Sequence, residues 1–125
     1  MPRPCKRRRI CRMPTAFRFG PIGTDGGGEI ALTLDEYETL RLIDLLGYTQ
    51  EECAAQMGVA RTTVQAVCTA ARRKVADALV NGRQLDIRGG HYTLCPKARE
   101  CSGDCRRRCP HHGQNLPENR KDALE

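Results

Sequence analysis

The sequence contains no Trp, and Phe and Tyr together total only five of its 125 residues. A chain with so few aromatic side chains must build its core from small aliphatic residues, chiefly Leu, Ile, Val and Ala. Its apolar runs are short, which excludes a membrane-spanning helix, and its basic N-terminus lacks the apolar segment of a secretory signal. We therefore expect a cytoplasmic protein with no membrane partner, made of one small domain and appended segments.

Residues that could form an active site are also scarce. Only three His are present, at positions 91, 111 and 112. The sequence shows neither a nucleophile paired with a base nor a phosphate-binding loop. We expect a protein that is not an enzyme.

Acidic residues are absent from the first twenty positions, which carry seven basic side chains. Residues 21–60 reverse this balance with eight acids and one arginine, and residues 61–90 and 91–112 are again net basic. Two basic blocks around an acidic one predict a polyanionic partner that contacts particular surfaces of the protein.

Two capping boxes predict where helices begin, because in each a Thr hydroxyl and a Glu side chain three residues later exchange backbone hydrogen bonds. "TLDE" at 33–36 opens a first helix that ends at Gly47, and "TQEE" at 49–52 opens a second through Met57. A third helix is predicted from Ala60 to about Val80, before Asn-Gly.

The segments outside these helices are expected to be less regular. Residues 1–28 are predicted to be a basic arm and a Gly-rich loop with little regular structure. Residues 29–34 could form a short strand, and residues 83–94 a small hairpin or wing. The central domain therefore spans 29–92, and residues 113–125 are expected to be a polar, disordered tail.

The second and third predicted helices have the pattern of a helix-turn-helix. Ala54 is small where the helices must approach, and Gly58 stands at the turn, where a positive φ is needed. Val59, Val64 and Val67 fall on the inward side of the third helix. We predict a mainly α fold: a three-helix helix-turn-helix, with or without a small β wing, plus a Cys-rich knuckle.

The outward side of the third helix carries side chains suited to DNA. Arg61 can donate two hydrogen bonds to guanine, Gln65 can pair with adenine, and Thr62 or Ala66 can contact a thymine methyl. Basic residues farther along the helix suit phosphates. The predicted DNA-binding residues of this helix are Arg61, Thr62, Thr63, Gln65, Ala66, Thr69, Arg72, Arg73 and Lys74.

The arm is a second candidate DNA contact. Arg7, Arg8, Arg9 and Arg12 lie in "CKRRRICRMP", and basic arms of other helix-turn-helix proteins follow the DNA backbone or enter the minor groove. The alternatives are a solvated tail or a patch for an acidic protein.

The cysteine-rich segment 93–112 predicts a metal-binding knuckle. Cys95, Cys101, Cys105 and Cys109 are the candidate ligands, and Cys5, Cys11, His111 and His112 are additional ones. Structural zinc or an iron–sulfur cluster would suit these thiols, with disulfides or unliganded thiols as alternatives. On an unbroken helix Cys101 and Cys109 would lie about 12 Å apart along the axis, too far for one metal ion.

Several segments carry a resemblance to known proteins: "MPRPCKRRRICRMP", "LTLDEYETLRLID", "TQEECAAQMGVARTTVQ" and "ARRKVADALVNGRQLDIRGG". Residues 32–79 resemble region four of bacterial sigma factors, which reads the −35 promoter element. More closely, residues 1–92 resemble an uncharacterised bacterial and archaeal family of predicted DNA-binding proteins. The resemblance implies a sigma-region-four-like helix-turn-helix without established enzymatic activity. The chain departs from it at Ala60, where Ser is usual; losing that N-cap costs about 1 kcal/mol.

These observations predict a DNA-binding transcriptional regulator with a metal-stabilised or metal-sensing knuckle. Its partner would be double-stranded DNA, and it could act as a homodimer. One alternative is an adaptor that docks on RNA polymerase in a sigma-like or anti-sigma-like manner. Another is an iron–sulfur redox sensor or electron carrier, which would need a coloured, reducible cluster.

Overall fold

The computed structural model of the chain describes residues 8–23 and 27–95, in which three helices and five short strands are present. The strands are β1 (Arg8–Ile10), β2 (Arg18–Phe19), β3 (Glu29–Leu32), β4 (Gln84–Ile87) and β5 (Tyr92–Leu94). The helices are α1 (Leu34–Leu40), α2 (Gln50–Met57) and α3 (Arg61–Asn81), and a π-helical segment, Arg41–Leu45, continues α1 directly. The three expected helices are present, but the fold is mixed α and β.

Both predicted capping boxes are confirmed. At the start of α1, Thr33 Oγ1 accepts from the Glu36 N–H at 3.3 Å, and Glu36 Oε1 accepts from the Thr33 N–H at 2.9 Å. At the start of α2, Thr49 and Glu52 exchange the same two bonds at 3.0 and 2.9 Å. Backbone N–H groups at the start of a helix have no intrahelical partner. Each capping box supplies a partner to two of them, so four such donors are satisfied.

Glycines end α2 and α3. Gly58 and Gly82 have φ values of 72° and 63°, a left-handed conformation in which a side chain would be strained. The N–H of Gly58 donates to the Ala54 carbonyl at 2.9 Å, and that of Gly82 donates to the Ala78 carbonyl. The helix ends predicted from Gly58 and from Asn81-Gly82 are therefore confirmed.

The five strands form two small sheets. In one, β1 and β5 pair in parallel, with Arg8 opposite Tyr92 and Ile10 opposite Leu94. In the other, the order is β2-β4-β3: β4 is antiparallel to β2 and parallel to β3. Each sheet therefore joins a strand from the first third of the chain to one that follows α3.

Two expectations from the sequence are wrong at this level. The segment 1–28 was expected to have little regular structure, but its described part contains β1 and β2. The hairpin expected over 83–94 does not form, because β4 and β5 belong to different sheets. In both cases the partner strand is remote in sequence. The turn signal at Gly89-Gly90 is local, so it does not reveal with which strands β4 and β5 pair.

Two clusters of buried side chains form the core. The first lies between the end of α1, α2 and the start of α3, and consists of Leu42, Tyr48, Cys53, Ala54, Met57 and Val64. The second joins the sheets to α1 and α3, and consists of Ile10, Leu32, Leu34, Ala71 and Ile87. Because Ile10 is fully buried in the second cluster, strand β1 is part of the folded domain.

Among residues 8–23 and 27–95, none of the helices combines the length and the apolar character needed to cross a membrane. The tail expected at 113–125 and most of the knuckle expected at 93–112 lie outside the described residues.

The burial of β1 generates a stability prediction. Ile10→Ala should lower the free energy of unfolding by about 2–5 kcal/mol, because it removes a fully buried side chain and leaves a cavity. Ile22→Ala is the control: that side chain is 98% exposed, so the change should stay within about 0.5 kcal/mol. Urea denaturation of both variants measures the difference. Equal small effects would show that the N-terminal segment detaches from the domain.

Candidate nucleic-acid interface

A three-residue turn, Gly58–Ala60, joins α2 to α3. The N–H groups of Gly58 and Val59 both donate to the Ala54 carbonyl, at 2.9 and 3.0 Å. Ala54 is 1% exposed, so the helices pack closely at this small residue. Arg9 of β1 also reaches the turn, since a β-carbon built on Gly58 would lie 3.3 Å from Arg9 Nη2. The turn is therefore held by α2 on one side and contacted by the N-terminal segment.

Helix α3 buries one face and exposes the other. Val64, Cys68 and Ala71 are at most 2% exposed, at the spacing of a helical face. Val59 and Val67, also expected on the inward side, are half-buried, and Val59 packs against the first core cluster. Thr63 is half-buried. The exposed residues on the first half of the helix are Arg61, Thr62, Gln65, Ala66 and Thr69.

The first turn of α3 has no side-chain cap. Ala60 occupies the N-cap position with extended backbone angles, and it can offer no hydrogen-bond acceptor from its methyl group. Its carbonyl accepts from the Val64 N–H at 3.1 Å, which is the first bond of the helix. The exposed start of a 21-residue helix thus presents backbone N–H groups and a partial positive charge next to Arg61.

The three basic residues farther along α3 are not equivalent. Arg72 makes a two-point contact with Asp44, at 3.1 and 2.7 Å, and this hydrogen bonding raises the pKa of Arg72. Arg73 is exposed. Lys74 Nζ donates to Glu36 Oε1 at 2.7 Å and to the Ala31 carbonyl at 2.9 Å. Lys74 is therefore engaged with α1 and β3, whereas Arg73 faces solvent.

The arginines of the N-terminal segment are likewise divided. Arg8 forms an ion pair with Asp35, a carboxylate that is 3% exposed. Arg9 is half-buried, and its buried Nη1 makes no hydrogen bond within the described part of the chain. Arg12 is exposed, and Arg7 lies outside the described residues. Of the arginines predicted to contact DNA in this segment, Arg8 and Arg9 are therefore half-buried, whereas Arg12 is exposed.

The carboxylates that bind these basic side chains were not predicted from the sequence. Asp35 and Glu36 lie in the first turn of α1 and contact Arg8 and Lys74, respectively. Asp44 contacts Arg72 from the π-helical segment. Of the three, only Glu36 has a role predicted from the sequence, as a capping residue, because the ion-pair partners are separated from these carboxylates by more than twenty residues of sequence.

Cys11 and Cys95 are brought together by the β1–β5 sheet. The Cys95 N–H donates to the Ile10 carbonyl at 2.8 Å, so the parallel ladder extends to Cys95. Both cysteines are buried, at 0% and 2% exposure. The other predicted ligands, Cys5, Cys101, Cys105, Cys109, His111 and His112, lie outside the described residues, and the described ones contain no cluster of three or more metal-ligating side chains.

The remaining cysteines belong to the helical core. Cys53 and Cys68 lie on α2 and α3 and are buried at 0% and 2% exposure. Burial, and after it the nearby Glu38 and Cys68, raises the pKa of the Cys53 thiol to about 12. At neutral pH this thiol is protonated, and it acts as a small core side chain.

A separate apolar patch lies around the C-terminal half of α3. Phe19 and Leu79 are 52% and 79% exposed, and a cleft of about 310 Å³ opens between Phe19, Val75 and Leu85. This patch is on the part of α3 that follows the exposed polar face.

Comparison with known proteins identifies the family to which the chain belongs. Residues 1–95 match the profile of a family described as "Protein of unknown function DUF134", and the chain belongs to that family. It is 56% identical over 97 residues to a UPF0251 protein of Desulfitobacterium hafniense, covering 76% of this chain and 78% of the relative.

Other UPF0251 proteins are also similar. One from Thermoanaerobacter pseudethanolicus is 45% identical over 96 residues, covering 75% of this chain and 81% of the relative. One from Pelotomaculum thermopropionicum is 42% identical over 113 residues, covering 89% and 82%. No solved structure matches the chain.

The different positions of Lys74 and Arg73 generate a second prediction. Lys74→Met should lower the free energy of unfolding by about 1 kcal/mol, because it removes the bonds to Glu36 and Ala31. Arg73→Met, the neighbouring control, should change it by less than about 0.5 kcal/mol. Urea denaturation measures both. If the two variants are equally stable, Lys74 faces solvent and is available for phosphate.

Proposed function

We propose that the chain is a DNA-binding transcriptional regulator that places the first half of α3 in the major groove. One observation carries the proposal. The exposed face of α3, with Arg61, Gln65 and Thr69, directly follows a three-residue turn against a rigidly packed α2. In a helix-turn-helix, the residues at the start of the second helix contact base edges while the first helix crosses the backbone.

The exposed side chains on this face match base edges in the major groove. Arg61 has the paired donors that bind guanine O6 and N7, and Gln65 has the donor and acceptor that bind adenine. Thr62 and Ala66 add methyl groups that can contact thymine. Because these residues are exposed and adjacent on the helix, they can face consecutive base pairs.

Phosphate contacts would come from the residues that remain directed to solvent. The start of α3 offers backbone N–H groups to an anion, and Arg73 lies farther along the same helix. Arg72 would have to exchange Asp44 for phosphate, since the two form an exposed pair. Lys74 and Arg8 contribute less, because buried or half-buried carboxylates already hold them.

The acidic start of α2 supports a single binding face. Glu51 and Glu52 are exposed there. Carboxylates and DNA phosphates are both negatively charged and repel each other. These carboxylates therefore disfavour an approach of DNA from the side where α2 begins. The resemblance of residues 32–79 to sigma region four supports the same orientation, with α3 toward DNA.

The cysteine-rich segment forms the second part of the proposal. We propose that the cysteines from Cys95 to Cys109 bind zinc, with an iron–sulfur cluster as the alternative. No enzymatic activity is proposed.

The same acidic surface favours a second candidate function. An adaptor that docks on RNA polymerase through Asp44, Glu51 and Glu52 would use the α1–α2 side and would not need Arg61 to read bases. In that case charge reversal at Glu51 and Glu52 would abolish polymerase binding, and Arg61→Ala would leave it unchanged.

Selection of bound sequences from random double-stranded DNA tests the principal function. The wild-type chain should enrich a defined motif. Arg61→Ala should weaken binding to that motif by about 5- to 150-fold and relax the preference at one position, as expected for the loss of a bidentate base contact. Fluorescence anisotropy of the selected duplex measures the affinity.

Two arginine variants serve as comparisons. Arg73→Ala should weaken binding to all sequences alike and reduce the salt dependence by about one phosphate contact. Arg88→Ala, an exposed arginine beyond β4, should change neither. Failure to enrich any motif, or an Arg61→Ala variant with unchanged specificity, would contradict the proposed function.

A further inference from the structure

We propose that Arg9 is a positioning residue for DNA recognition: its guanidinium holds the turn before α3 and thereby fixes the orientation of the exposed face of that helix. The inference deepens the proposed function and rests on it. It gives Arg9 a role other than the DNA contact expected from the sequence, because the side chain acts through Gly58 and not on DNA itself.

Strand β1 carries Arg9 on a backbone that is fixed on both sides of it. The Arg8 guanidinium pairs with the buried carboxylate of Asp35, at the start of α1. Ile10 is fully buried in the second core cluster. Successive side chains of a strand point to opposite faces. The Arg9 side chain therefore extends away from the side on which Arg8 meets α1.

Arg9 lies against the turn between α2 and α3. A β-carbon built on Gly58 would lie 3.3 Å from Arg9 Nη2, so the guanidinium fills the space that a side chain at position 58 would take up. Gly58 is the C-cap of α2, with a φ of 72°. Carbonyl groups at this end of a helix carry a partial negative charge, and a cation beside them is stabilising. The contact therefore favours both Arg9 and the end of α2.

The burial of Arg9 distinguishes it from an arginine that can reach phosphate. The side chain is half-buried, and its Nη1 is inaccessible to solvent. A phosphate oxygen must come within about 3 Å of a guanidinium nitrogen to accept a hydrogen bond, and the protein around Nη1 prevents this approach. The guanidinium therefore faces protein at Nη1 and the turn at Nη2, whereas Arg73 is exposed.

The start of α3 lacks the side-chain cap that fixes the starts of α1 and α2. Ala60, the N-cap residue, offers no side-chain acceptor. The Ala54 carbonyl accepts from the N–H groups of Gly58 and Val59, at 2.9 and 3.0 Å, and ties the turn to α2. Arg9 adds a second hold, from β1. The direction in which α3 leaves the turn therefore depends on the N-terminal segment.

A displaced turn would move the exposed face of α3 as a unit. Hydrogen bonds to base edges weaken steeply when distance and angle depart from their preferred values. Phosphate contacts carry no sequence information directly, and they supply most of the sequence-independent affinity. Loss of Arg9 should therefore reduce discrimination between sequences and leave the sequence-independent affinity nearly unchanged.

Binding of an Arg9→Met variant to DNA tests this consequence. The substitution keeps an unbranched side chain and removes the guanidinium. The ratio of the affinities for the selected duplex and a scrambled one should fall about fivefold or more, the lower range for one lost bidentate base contact. Affinity for the scrambled duplex and its salt dependence should stay as in the wild type. Arg12→Met is the matched control, since Arg12 is an exposed arginine of the same segment, and it should leave the ratio unchanged.

Two results of this comparison would overturn the proposal. An equal loss of affinity for both duplexes, with the salt dependence reduced by about one phosphate contact, would make Arg9 a phosphate-binding residue. An unchanged ratio in an Arg9→Met variant that is folded by circular dichroism would show that the turn is placed without Arg9.

Amide hydrogen exchange of the free protein tests the hold on the turn without DNA. The N–H groups of Gly58, Val59 and Val64 donate within the turn or directly after it, and Arg9→Met should speed their exchange severalfold through local opening. The N–H of Arg83, which follows the far end of α3, should keep its rate. Equal acceleration at all four positions, or none, would overturn the proposal.

A measurement on the wild-type chain covers an Arg9→Met variant that does not fold. The guanidinium signals of an isotopically labelled chain are followed by NMR while the selected duplex is added. Arg73 signals should shift, and Arg9 Nη signals should exchange slowly with solvent before and after the addition. Arg9 signals that exchange as fast as those of Arg73 in the free protein would overturn the proposal. A wild-type chain that selects no motif contradicts the proposed function, and the exchange rates at Gly58 and Val59 then decide separately whether Arg9 holds the turn.

Discussion

The buried carboxylate of Glu38 connects the N-terminal segment to the helices. It is fully inaccessible to solvent, and it accepts one hydrogen bond from the Cys11 N–H and two from the Arg41 guanidinium, at 2.8–2.9 Å. A buried carboxylate is costly unless such bonds compensate for its lost hydration. The three bonds therefore fix the place where β1 ends, and with it the positions of Arg8, Arg9 and Cys11.

The consequence for the charge distribution is that the number of basic side chains overstates how many a polyanion would encounter. The chain has 21 Lys and Arg residues, but Arg8, Arg41 and Lys74 have carboxylate partners that are largely buried. The Arg8–Asp35 pair joins β1 to α1, and the Lys74–Glu36 pair joins α3 to α1. Among the described residues, Arg61 and Arg73 stay exposed on α3, and Arg61 lies at a helix start that lacks a capping side chain.

The helices could be predicted from the sequence because their signals are local. Thr33 and Thr49 each act with a Glu three residues away, and Gly58 and Gly82 act on their own backbone. The exposed face of α3 was also predictable from helical spacing. Strands β1 and β2, only three and two residues long, have too few positions for an alternating pattern, and their partners follow α3. Lys74 was assigned to phosphate because helical spacing does not reveal that β3 and α1 cover that part of α3.

The pairing of the first described strand with the last one has a consequence for how the chain folds. While the protein is being synthesised, β1 leaves the ribosome early and its partner β5 leaves only after α3 is complete. Contacts between segments so distant in sequence close large loops and form slowly. The helices can therefore assemble first around Leu42, Met57 and Val64, while the basic N-terminal segment stays unpaired and exposed to the polyanions of the ribosome until β5 emerges to pair with it.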